Sequence, residues 1–140
     1  MANEALNASG AYTECTASAS IASNGFSTAG NTSAIGTAIA SVDTYTLVDF
    51  QLNVTAGTVS AGDVINLYRR ASDGTSQSPI PSSTNKYDYV GSFTINSNSE
   101  SRYKYSVANP DPNDEYYLEN TGAGAITMNM KVRGKTYGTA

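Results

Sequence analysis

The sequence predicts an all-β protein, an antiparallel β-sandwich of seven or eight short strands of jelly-roll or Greek-key type. Three observations carry that prediction. Several segments alternate apolar and polar residues with period 2, Gly/Pro/Asn/Asp turns separate them, and no segment sustains a 3.6-residue period. The chain of 140 residues has the size of one domain, and only 23 of them are Leu, Ile, Val or Phe. Net charge is only −4, too weak for disorder by self-repulsion, and ten tyrosines add bulk to a thin core. Such a core gains from surface buried against copies of the chain or a larger partner.

Residues 1–30 read as an Ala/Ser/Thr/Asn-rich N-terminal arm and first strand, and residues 31–140 as the sandwich domain. The arm runs to about Gly10, and Ala11 to Ile21 alternates small and hydroxyl residues in a β-compatible way. Ala34 to Ser41 fits either a short strand or a helical turn. Val48, Phe50, Leu52 and Val54 oppose Asp49, Gln51 and Asn53, the pattern of a half-buried strand. After a turn at Ser60 to Asp63, a second strand over Val64 to Arg70 puts Ile65 and Leu67 on one face. Ala71 to Asn85 is a long polar loop, turned at Asp73-Gly74 and stiffened by Pro79 and Pro81, whose length suggests a projection from the sandwich. Tyr87 to Ile95 groups Tyr89, Phe93 and Ile95, and Arg102 to Val107 groups Tyr103, Tyr105 and Val107 opposite Arg102, Lys104 and Ser106. A short strand over Glu115 to Asn120 precedes the clearest one, where Ile126, Met128, Met130 and Val132 alternate strictly with Thr127, Asn129, Lys131 and Arg133.

Absence of histidine removes the commonest general base and metal ligand, and with them every Ser-His or Cys-His pair. Cys15 is the sole cysteine, so neither an internal disulfide nor a multi-cysteine zinc site forms; it reads as a small buried hydrophobe. The N-terminus has no basic and apolar leader pattern, no stretch has the length of a membrane span, and export by a signal peptide is not expected. Four acids and no Lys or Arg precede Asp63, and the later clusters Arg69/Arg70 and Lys131/Arg133/Lys135 are too short for a phosphate-binding stripe. They read as solvated strand faces, with neither nucleic acid nor membrane expected as a partner. No carboxylate pair stands out for glycosidase chemistry. Asp111-Pro-Asn-Asp-Glu115 is acidic enough for a calcium loop but lacks EF-hand spacing, so its plainer reading is a proline-stiffened turn. No catalytic, cofactor or metal residues are therefore assigned. The tyrosines suit three roles: a sugar-stacking platform, anchors at a protein interface, or filling for a leucine-poor core. Candidate interface residues are Tyr12, Phe26, Tyr103, Tyr105, Tyr116 and Tyr117.

The segments Val48-Asp49-Phe50, Asp63-Val-Ile-Asn-Leu-Tyr68-Arg69, Tyr89-Val-Gly-Ser-Phe93, Tyr116-Tyr-Leu-Glu-Asn120-Thr and Met130-Lys-Val-Arg-Gly-Lys-Thr-Tyr137 occur in that order. Over about residues 44 to 137 they resemble small β-sandwich virion proteins of tailed bacteriophages, particularly capsid decoration (cement) proteins. The resemblance implies a non-enzymatic, often trimeric protein without cofactor. Its partner would be the major capsid protein, on the outer surface of the virion head, where it staples neighbouring subunits. The N-terminal part has no counterpart in that pattern and is a candidate capsid-gripping arm. Two other expectations stand beside this one: a neck, tail or fibre component, and a carbohydrate- or receptor-binding module using the tyrosines and the loop Ala71 to Asn85.

Overall fold

Alternation builds the walls. The structure, a computed structural model, describes residues 4–8, 11–40, 42–108 and 110–139, without the side chains of residues 4–8, 43, 105, 106 and 137–139. Its strands are β1 (Glu4–Ala8), β2 (Thr13–Ile21), β3 (Leu47–Gly57), β4 (Asp63–Arg70), β5 (Tyr89–Ile95), β6 (Glu100–Ala108), β7 (Glu115–Asn120) and β8 (Ile126–Thr139), with a short α-helical turn, α1 (Ile35–Ala38), and 3-10 turns at Ala29–Asn31 and Val42–Thr44. All strand pairs are antiparallel. Sheet A runs β2-β8-β3-β6, with β1 continuing the β2 edge along the far end of β8; sheet B runs β5-β4-β7. Residues 24–27 extend sheet B beyond β7: Asn24 and Ser27 donate their backbone N–H groups to Asn120 and Leu118, and Phe26 bridges Glu119.

Counted outward from the loop over residues 71–88, β4 pairs with β5, β3 with β6, segment 24–27 with β7, and β2 with β8. That nested pairing, split over two sheets, is a jelly roll. It also makes most contacts distant in sequence, which is why no short segment reveals strand order.

The inner faces meet in one core. Val48, Phe50, Leu52 and Val54 of β3 and Ile126, Met128, Met130 and Val132 of β8 face Ile65 and Leu67 of β4, Phe93 and Ile95 of β5, and Tyr116 and Leu118 of β7. Cys15 and Ile21 of β2, with Ile35 of α1, belong to it as well. Burial pushes the Cys15 thiol up to about 12, so it stays protonated. Asn120, fully buried on β7, donates to the carbonyls of Ile21 and Gly124 and accepts from the Gly122 N–H, so one satisfied amide ties β2 to the β7–β8 turn. At the opposite end the Tyr45 ring occupies the space where a side chain on Gly134 would begin, which is why β8 carries a glycine there.

Several expectations need correction. The sandwich does not begin at residue 31, because β2 and segment 24–27 supply a strand position to each sheet. Residues 4–8 form a strand paired with β8, from Glu4 opposite Thr139 to Ala8 opposite Lys135. The loop after β4 folds back instead of projecting: Arg70 Nε donates to the Ser78 carbonyl at 2.8 Å, and Pro81 is buried. Strict alternation fails in the edge strands β5 and β6. Between Leu67 and Tyr68 the partner strand β5 advances one residue extra, so Phe93 and Ile95 stay inside while Tyr89 turns outward. Opposite Asp49, β6 does the same, so Val107 packs inward and Tyr103 lies outside, opposite Gln51. The inward positions of β6 become Glu100, Arg102 and Lys104, with Lys104 lying across Gly91 of β5. A bulged edge with inward charges discourages stray strand pairing on that side.

Candidate functional site

The outer faces of the two sheets carry the molecule's polar and aromatic chemistry. On sheet A the register sets Ser101, Asn53 and Asn129 in one cross-strand row and Tyr103, Gln51, Lys131 and Glu14 in the next. Ser101 Oγ donates to Asn53 Oδ1 (2.6 Å), Asn53 Nδ2 to Gln51 Oε1 (3.3 Å), and Gln51 Nε2 to Tyr103 Oη (3.0 Å). Asn129 Nδ2 donates to Glu14 Oε2 at 2.9 Å. One row further lies Asp49, 0% exposed although it sits on the outer face. Lys135 Nζ is 2.7 Å and Arg133 Nη2 3.7 Å from its Oδ2. The Arg133 guanidinium stacks 4.5 Å from the centre of the Tyr12 ring, and Tyr12 tilts against Tyr103 with centroids 5.9 Å apart. Lys131/Arg133/Lys135 is thus not simply a solvated face; two of its three cations neutralise a buried carboxylate.

On sheet B, alternate residues of β4 and β7 form a second network around Glu119. Its carboxylate accepts from Lys86 Nζ (2.7 Å), Asn66 Nδ2 (3.0 Å) and Tyr68 Oη (3.1 Å). Burial works against the charged form, but those three donors outweigh it and hold the carboxyl below its ordinary value. Burial and the same carboxylate push the Tyr68 phenol up to about 12. Phe26 packs on Tyr68 (5.8 Å), which meets Tyr89 edge-on (5.7 Å), and Lys86 lies 5.8 Å above Phe26. Tyr87 and Tyr89 remain 65% and 57% exposed.

Asp114 behaves oppositely to Glu119. Burial raises its carboxyl, only partly offset by the Ser72 N–H at 3.3 Å and by Arg69 at 4.0 Å. The sign follows from linkage. Glu119 adds stability that is present above the ordinary carboxylate value and lost as pH falls through its lowered one, whereas Asp114 subtracts stability once pH rises through the ordinary value toward its raised one. Glu119→Gln is therefore expected to cost about 1.5 to 3 kcal/mol at pH 7 and to lose that deficit in acid. Asp114→Asn is expected to raise the urea midpoint at pH 7. Urea titrations from pH 7 to pH 3 check both signs.

Of the candidate interface residues, Tyr12 and Tyr103 come together on sheet A, and Phe26 sits half-buried on sheet B. The Tyr105 side chain lies outside the described residues. Tyr116 and Tyr117 are corrections: Tyr116 faces the core against Phe50, and Tyr117, on the outer side of β7, is 0% exposed and donates to Glu115. The acids of the Asp111–Glu115 turn go to separate protein partners. Asp111 accepts from the Asn113 N–H, Asp114 from Ser72, and Glu115 pairs with Arg70 at 3.1 Å. Among the described residues, no group of three His, Cys, Asp or Glu is placed to hold a metal ion. A cavity of about 620 Å³ between this turn and the loop after β4 is open and lined by Arg69, Ser72, Asp111 and Asp114.

Sequence reasoning missed Asp49 and Glu119. The available signal was charge at outward positions of strong strands, Asp49 on β3 against Arg133 and Lys135 on β8, and reading it required the register. No protein family, curated protein or solved structure matches this chain.

Proposed function

We propose that this chain is a non-enzymatic structural protein of a tailed-phage virion, a trimeric decoration protein on the outside of the head that joins neighbouring capsid subunits. Its resembling segments fall on β3, β4, β5, β7 and β8, the walls of a jelly roll, an architecture that recurs in viral coat domains. Fold alone assigns no function. The observation that carries the reading is the end of sheet A. Strand β3 pairs with β8 only as far as Leu47 opposite Lys135, and Thr46 still reaches Thr136 through their hydroxyls, whereas β8 continues through residues 137–139 with β1 as its strand partner. A ribbon of two strands is marginal in water by itself, and its open backbone edges accept a strand from another chain. Contact with a capsid subunit would supply what the ribbon lacks.

The test is deletion of residues 1–10 and addition of the variant to particles assembled without this protein. A cut after residue 30 would confuse the result, since it removes β2 with the core residues Cys15 and Ile21. The shorter deletion is expected to keep a cooperative unfolding transition and to lose attachment. Undiminished occupancy on the particles would overturn the proposal.

A further inference from the structure

We propose that the outer face of sheet A binds a neutral oligosaccharide in the hollow beside Tyr103. This site is independent of where the protein sits on a particle. The hollow measures about 510 Å³ and is lined chiefly by Asn53, Ser99, Glu100, Ser101, Asn129 and Lys131. Its chemistry selects the ligand. Glu100 stands at an inward position of β6 and is paired with Arg102 at 3.2 Å, so Lys131 is the one remaining charge in a lining otherwise of amides and hydroxyls, too little to fix an anionic ligand. Val54, the one aliphatic residue of the lining, turns its side chain into the core, so a lipid or apolar ligand finds no complementary wall. What remains is a field of amides and hydroxyls.

Each amide presents a donor and an acceptor in one plane, which matches the adjacent hydroxyls of a sugar ring. The relay from Ser101 through Asn53 and Gln51 to Tyr103 fixes those amides before any ligand arrives. Asn129 borders the hollow as well: its Nδ2 is held by Glu14, and its Oδ1, shielded from solvent, has no hydrogen-bond donor among the described residues. Tyr103 supplies the flat apolar surface on which the C–H face of a sugar stacks. It is 46% exposed, yet held by Gln51 on its hydroxyl and by Tyr12 against its ring, so little freedom is lost on binding. The exposed tyrosines of sheet B have no such hollow of amides beside them, which is why the site is assigned to sheet A.

The experiment is a binding screen of the full chain against immobilised neutral oligosaccharides, including maltohexaose, cellohexaose and chitohexaose, with heparin as the anionic probe. Any hit is then titrated by NMR. At least one neutral saccharide is expected to bind in the micromolar to millimolar range typical of small open sites, with shifts at Gln51, Asn53, Tyr103 and Asn129. Tyr103→Ala and Asn53→Ala are each expected to weaken it about tenfold, the loss of one good contact. Tyr89→Ala, on the other sheet, is expected to change nothing. No binding of any neutral saccharide, binding of heparin alone, or binding removed by Tyr89→Ala but kept by Tyr103→Ala would each overturn the proposal.

Discussion

Tyr116→Ala is expected to destabilise the whole sandwich by about 3 to 5 kcal/mol, the range for removing a large buried ring. Tyr116 is 1% exposed, and its ring lies 4.6 Å from that of Phe50, bridging the two sheets at the middle of the core. Domains of this size have about 5 to 15 kcal/mol in total, so the variant would sit near its unfolding threshold at room temperature. Tyr116→Phe keeps the ring and its contacts and is expected to lose much less. Tyr103→Ala removes a ring of similar size from the surface and is expected to shift the urea midpoint only slightly. Chemical denaturation of the three variants separates the roles: a Tyr116→Ala midpoint close to that of Tyr103→Ala would mean that the core is wrongly placed.

Asp49→Ala is expected to cost a similar amount, about 3 to 5 kcal/mol, for an electrostatic reason. The carboxylate has no exposure to water and lies between Lys135 and Arg133, whose side chains are themselves only 13% and 24% exposed. Without it, two cations face each other where solvent screens them poorly. The same reasoning gives the pair a limited net worth. Replacing Asp49 and Lys135 together by leucine and methionine is expected to recover much of the loss, because an apolar pair escapes the desolvation penalty that the ion pair has to overcome. Denaturation of the single and double variants in a mutant cycle measures the coupling. Recovery in the double variant with a large loss in the single one is the expected pattern. A negligible effect of Asp49→Ala would contradict the burial of that carboxylate.

The architecture was legible in sequence wherever one face of a strand meets the core and the other meets water. Val48 to Val54 and Ile126 to Val132 are the two strands for which alternation alone suffices, and they pair side by side at the centre of sheet A. The period-2 groupings of Tyr89 with Phe93 and of Tyr103 with Val107 break because a bulge inserts one residue and reverses every side chain beyond it. Nothing in a local pattern marks such an insertion. Tyr117 and Glu119 face outward by alternation, yet both are buried: Lys86 from the loop after β4 pairs with Glu119, and Tyr117 bonds Glu115, itself held by Arg70. Burial by a distant loop is a property of tertiary packing. Asp49 was hidden for the same reason: a carboxylate on a polar strand face reads as solvated until the register sets Arg133 opposite it.

Assembly on a virion is measured most directly as the number of copies of this protein in each purified particle, taken by quantitative mass spectrometry against the major capsid protein. A lattice of decoration subunits requires a copy number comparable to that of the capsid subunits, and that is the expected result. A few copies per particle would move the protein to the neck, tail or fibre, and none would contradict a virion role altogether.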